Sequence, residues 1–229
     1  MIKRLQSVVA WFGLTLLGLY APIADANSLF QGTIGKQPVT VYLSLTNTVT
    51  TGVYFYNRHR TPIRLKPTIS HESDTIRMDE LDAGGLPVAQ LGLPADLSPP
   101  KTYRGTWVSY RTGQKLPIHL KLVAYSAYGA EPVPIPQAAS TDRWYFVIPS
   151  IASADRVLEV RDKKTGALVQ SLAPARGMLC EEGIDTVKVE KDGDAPRISV
   201  TGPAVKDGVC VGATFGWNPQ KQAFEEVRR

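Results

Sequence analysis

The sequence predicts an all-β protein: an N-terminal antiparallel meander, barrel-like or a sandwich, followed by a smaller disulfide-linked β unit. Two observations carry this. Val39, Val41, Leu43 and Leu45 share one parity while Thr40, Tyr42, Ser44 and Thr46 share the other, and a two-residue period is the mark of a strand with one face buried. The pattern then returns at Val53-Tyr54-Phe55-Tyr56, at Ile63-Arg64-Leu65, at Ile76-Arg77-Met78 and across 116–122, with turn residues between. Short alternating runs so close together suggest neighbouring strands of one meander.

The chain opens with Lys3 and Arg4, an apolar run over 8–20, and the small residues Ala24 and Ala26 around Asp25. This is the pattern of a secretory signal peptide (residues 1–26), with cleavage expected after Ala26. At about 13 residues the run falls short of the roughly 20 that span a bilayer. A periplasmic or secreted protein is expected, with no transmembrane segment after cleavage. Removing Lys3, Arg4 and Asp25 leaves 24 basic and 20 acidic residues. So mild a charge, on an exported chain, speaks against nucleic acid as a partner.

A first unit is expected over 27–126. Gly35-Lys36-Gln37-Pro38 separates a strand at 30–34 from one at 39–46, and further strands are expected at 52–56, 62–70, 75–80, 102–110 and 116–125. Between 81 and 100 the pattern breaks at Gly84, Gly85, Pro87, Pro94, Pro99 and Pro100, leaving one short strand at 88–91. A loop of that length reads as a lid or binding loop, or as an irregular surface connection. Pro132, Pro134 and Pro136 then mark 127–141 as an extended linker or edge crossing.

The second unit, 142–229, starts with the aromatic strand Trp144-Tyr145-Phe146-Val147-Ile148, with Asp192-Gly193 as a hairpin turn further on. At most one helical turn is expected, within 150–157. Cys180 and Cys210 are the only cysteines; in an oxidising compartment they are expected to pair, stabilising the unit by roughly 3–4 kcal/mol. The basic excess lies wholly in the first part: 27–141 holds 11 basic and 7 acidic residues, and 142–229 holds 13 of each.

The succession Gly52-Val53-Tyr54-Phe55-Tyr56, Pro62-Ile63-Arg64-Leu65, 76–80, Gly105-Thr106-Trp107 and Leu116-Pro117-Ile118-His119-Leu120 resembles a β-meander found in exported bacterial proteins of unknown function. The resemblance covers about 95 residues within 30–122 and implies the fold and the export; it brings no catalytic signature.

Three features bear on chemistry. His59, His71 and His119 have no His or Cys at ligand spacing, and neither G-x-S-x-G nor H-E-x-x-H occurs. No catalytic residue, metal ligand or cofactor is therefore assigned. Asp192-Gly193-Asp194 lacks the spacing of a calcium loop. Arg58, Arg60, Arg64 and Lys66 cluster in and beside one hairpin, a patch suited to a carboxylate, phosphate or anionic envelope glycan, or else a solvated outer face. Tyr42, Tyr54, Tyr56, Tyr103, Trp107 and Tyr110 recur along the meander, as core or as the lining of a ligand site. Of these, Tyr54, Tyr56 and Trp107 join the basic cluster as the ligand-binding candidates. The resulting expectation is a non-enzymatic binding or envelope-associated protein, its partner a small ligand, an envelope glycan or a protein. The alternatives are an inhibitor of a hydrolase acting through 81–100, and a hydrolase of cell-wall or glycan material.

Overall fold

The computed structural model describes residues 25–46, 49–68, 74–95, 102–127, 131–149, 157–173, 178–179, 183–200 and 210–227. Residues 1–24 of the expected signal peptide, His71, Cys180 and the stretch 150–156 lie outside the described residues. Eight strands come first: β1 (Asp25–Ile34), β2 (Gln37–Thr46), β3 (Val49–Tyr56), β4 (Ile63–Pro67), β5 (Thr75–Leu81), β6 (Pro87–Pro94), β7 (Thr102–Ser109) and β8 (Lys115–Ala127). Each pairs antiparallel with the next, and β8 returns to β1, so the meander closes into a barrel. The closing register sets Gly32 against Leu120, with a bulge at Leu29/Phe30. Gly32 is needed there, because a Cβ would meet the His119 carbonyl oxygen at 1.9 Å.

The bore is packed. Phe30, Val41, Leu43, Tyr54, Leu65, Met78, Leu91, Tyr103, Ile118 and Leu120 are buried together inside it. On β5–β8 the opposite parity carries Arg77, Gln90, Arg104, His119 and Lys121. Apolar residues inside and charged ones outside is the reverse of a membrane-spanning barrel. Among the described residues no helix is long and apolar enough to cross a membrane.

Two expectations are corrected here. The stretch 81–94 is not a long loop: β5 runs to Leu81, a tight turn follows, and β6 occupies Pro87–Pro94, while residues 96–100 lie outside the described residues. Its alternation was present (Ala89, Leu91 and Leu93 inward; Val88, Gln90 and Gly92 outward), but prolines at both strand ends and a glycine within obscured it. Nor is the outer face wet all round, since on β1–β3 it carries Leu29, Tyr42, Val53 and Phe55, covered by the second unit.

That unit begins with the sheet β12-β11-β10-β9, made of β9 (Ile135–Ser140), β10 (Trp144–Ile148), β11 (Leu158–Asp162) and β12 (Leu168–Leu172). The second half of the proline-rich stretch is thus an edge strand. Next come β13 (Met178–Leu179), one turn of 3₁₀ helix (Gly183–Asp185), β14 (Val187–Lys191) and β15 (Arg197–Val200). β16 (Cys210–Val211), β17 (Ala213–Asn218) and β18 (Ala223–Glu226) complete the chain. β13 pairs parallel with β16, and the rest form the sheet β14-β15-β17-β18. Trp144, Phe146, Leu158, Val160, Ile198, Phe215 and Phe224 share one core between the two larger sheets, and Tyr42 and Val53 of the barrel complete it. Every residue of β10 is buried: Trp144, Phe146 and Ile148 face this core, while Tyr145 and Val147 meet Phe55 of the barrel. A strand covered on both faces has no reason to alternate. Gln137 of β9, fully buried, donates to the carbonyls of Ile135 (3.2 Å) and Gly183 (3.0 Å) and accepts from Val187 N–H (3.2 Å).

Candidate functional site

The predicted basic cluster separates into two roles. In the turn after β3, the N–H groups of His59 and Arg60 both donate to Tyr56 O, and Arg60 takes up a φ of 50°. From there its Nη1 donates to the carbonyl oxygens of Lys163 (2.9 Å) and Lys164 (3.1 Å), in the turn between β11 and β12. Gly166 in that turn has φ 79°, and a Cβ on it would lie 2.9 Å from Arg60 Nε. Arg64, projecting from β4, forks onto Asp185, with Nη1 2.6 Å from Oδ2 and Nη2 donating to Oδ1. That bond holds the Arg64 guanidinium above its usual pKa. Two of the four cations thus clasp one unit to the other, while Arg58 and Lys66 stay exposed.

The predicted aromatics converge elsewhere, on a residue the sequence reading did not single out. Glu80 faces the bore near one end of the barrel. Its Oε2 accepts from Tyr54 Oη (2.6 Å) and from Trp107 Nε1 (2.8 Å), and Tyr56 packs edge-on to Tyr54 at 5.6 Å. Burial first, then the Glu80 charge, hold the Tyr54 phenol far above its ordinary pKa. The signal for Glu80 was its parity, shared with Ile76 and Met78: a carboxylate on the apolar side of a strand. Tyr54 itself is core. Beyond Glu80 and Trp107 a groove of about 590 Å³ opens past Val88, Ser109, Tyr110 and Arg111. Tyr110 lies outside the barrel, donating to Asp79 (2.5 Å) and accepting from Gln90 (3.0 Å).

A second cavity, of about 480 Å³, lies where the units meet and draws on both. Phe55 and Tyr145, with ring centroids 5.5 Å apart, form an apolar wall with Val147, Pro134 and Pro136. Gln31, Asn57 and Arg60 reach it from the barrel, Glu159 and Arg161 from β11. Arg161 donates through Nε to Glu159 Oε2 (2.8 Å) and through Nη1 to Gly166 O (3.2 Å), and its Nη2 lies 2.7 Å from the same carboxylate oxygen. Burial raises the Tyr145 pKa; the charges of Arg161 and Arg60 and a hydrogen bond with Arg161 oppose it. Asn57 Oδ1 accepts from the Thr40 hydroxyl at 2.9 Å. An apolar wall with a few directed polar groups at a junction of two units is the usual composition of a small-molecule site.

His59 and His119 are exposed, and neither sits in the cleft. Among the described residues no group of three His, Cys, Asp or Glu side chains is placed to hold a metal ion. No protein-family model, curated protein or solved structure matches the chain. What the geometry defines is a filled eight-stranded barrel carrying a unit of two larger sheets and one short one on its flank, with a mixed cleft at the junction.

Proposed function

We propose that this is an exported, non-enzymatic binding protein of the bacterial periplasm or cell exterior, holding a small ligand or a glycan segment in the cleft between its units. The observation that carries the reading is the cleft itself: it is walled by Phe55 and Tyr145 from different units and edged by side chains whose orientation is already fixed. A site shaped before its ligand arrives loses little entropy on binding. The features of residues 1–26 support the export, and mass spectrometry of the secreted chain is expected to find Asn27 at its start. That Cys180 and Cys210 are the only cysteines of an exported chain supports a bridge between them, which thiol counting under denaturing conditions tests: no free thiol is expected. The binding reading is tested by a thermal-shift screen of the mature chain against sugars, lipids and envelope fragments, because a ligand of the folded form raises its melting temperature. Release of soluble fragments from a glycan would contradict it and favour the hydrolase alternative.

A specific observation favours one second reading, a protein partner such as a hydrolase to be inhibited. The turn between β5 and β6 is stiff: Asp82 Oδ1 accepts from the N–H of Gly84 and of Leu86, both at 2.9 Å, and Asp82 N–H donates to Leu86 O. Leu86, 66% exposed, projects there beside Val88 and Tyr110. Pull-down through this hairpin, abolished by Leu86→Asp, separates it from the cleft reading.

A further inference from the structure

We infer that the ligand of the inter-unit cleft carries a carboxylate on a ring, and that Arg60, Tyr145 and Asn57 recognise it. The inference rests on reading the cleft as the binding site, and goes further by counting what its polar groups still offer.

Arg161 has its charge matched within the cleft, since Nε and Nη2 serve Glu159 while Nη1 serves Gly166 O. That pairing also consumes the one carboxylate of the lining, Glu159. The hydrogen bond between Arg161 and Tyr145 makes the phenol oxygen the acceptor, because a guanidinium only donates. The Tyr145 O–H is therefore left to donate. Asn57 turns its oxygen to Thr40, which leaves its amide N–H groups. Arg60 binds only backbone carbonyls, so among the described residues no carboxylate offsets its charge. What remains, besides the Gln31 amide, which can donate or accept, is three sets of donors and one unbalanced positive charge. The complementary partner is an anion rich in acceptors.

Size and lining decide its kind. A cleft of about 480 Å³ greatly exceeds one inorganic anion, and its remaining walls are Phe55, Tyr145, Pro134 and Pro136. Flat faces of this sort suit a sugar or aromatic ring. An acidic sugar of an envelope glycan and a free aromatic acid share this chemistry.

The test uses the mature full chain and calorimetric titration with matched probes: glucuronate against glucose, benzoate against benzamide, and inorganic phosphate. The acid of at least one pair is expected to bind about tenfold tighter than its neutral partner, the effect of one charge-assisted hydrogen bond, and to weaken with added salt. Preference for glucuronate assigns the source to glycan, and preference for benzoate to aromatic acids. Tyr145→Phe and Asn57→Ala are each expected to lower that affinity several-fold while leaving the melting temperature within a few degrees. Neither of them touches the Arg60 clasp. Equal binding of acid and neutral partner, lost in Tyr145→Phe, overturns the carboxylate while keeping the cleft as the site. Phosphate binding as tightly as the ring acids overturns the ring. Binding untouched by either substitution, or no binding of any probe up to millimolar concentration, overturns the inference and the cleft reading together.

Discussion

The barrel and the unit on its flank solve the same problem differently. The barrel's core is drawn wholly from its own eight strands, and closure leaves it no open edge. The second unit's core is incomplete until Tyr42 and Val53 of the barrel fill its side. The outer face of β2 and β3 therefore serves as a wall for its neighbour. One region is self-contained, the other dependent, and the cleft exists because the dependent one docks on the complete one.

The sharpest way to separate the two is to cut the shared wall. Tyr42→Ala is expected to cost about 3–5 kcal/mol, as large aromatic truncations in cores do. Hydrogen exchange should place the loss in β10 and β15 while β5–β7 stay protected. Phe30→Ala, inside the barrel, should unprotect both regions. Next in size is Glu80→Ala, which leaves the Tyr54 hydroxyl and Trp107 N–H without their acceptor; about 1–3 kcal/mol should disappear from the barrel in denaturant titrations. Gly166→Ala puts a side chain at φ 79° and against Arg60, at a cost of about 1–2 kcal/mol. The part owed to contact should vanish when Arg60 is also replaced by Ala, in a double-mutant cycle.

Alkaline pH gives a comparable handle on the barrel interior. The folded pKa of Tyr54 lies far above its unfolded value, which is about 10. Its contribution is therefore complete below pH 10 and declines as pH rises, because the unfolded chain then releases a proton that the folded one keeps. The slope is about 1.4 kcal/mol per pH unit, visible as a steeper alkaline limb in the wild type than in Tyr54→Phe. Smallest of all is Arg64→Ala: with the side chains of Arg64 and Asp185 43% and 50% exposed, the pair should contribute under about 1 kcal/mol, less still in high salt.

This contrast was only half legible in the sequence. β2 alternates cleanly, and so does β8, where Ile118 and Leu120 flank the exposed His119, so the barrel's strands could be read. Where both faces are covered, as throughout β10, the alternation is gone, and that loss was itself the sign of a second covering layer. Closure of β8 on β1 left no local trace. The cleft was the least legible, because Arg60 meets the carbonyl of Lys163 across 103 positions of chain. No spacing rule spans that distance, and the run of basic residues from Arg58 to Lys66 suggested one patch where folding makes two clasps. Glu80 could have been singled out from its parity alone.

The dependence of one unit on the other is tested most directly by native-state hydrogen exchange of the full chain through a denaturant series. The amides of β10, β15 and β17 are expected to lose protection at lower denaturant than those of β2, β3 and β8, which should open later and together. If the barrel strands open first while the flanking sheets remain protected, or if all open at a single denaturant concentration, the barrel is not the self-sufficient element and the account fails.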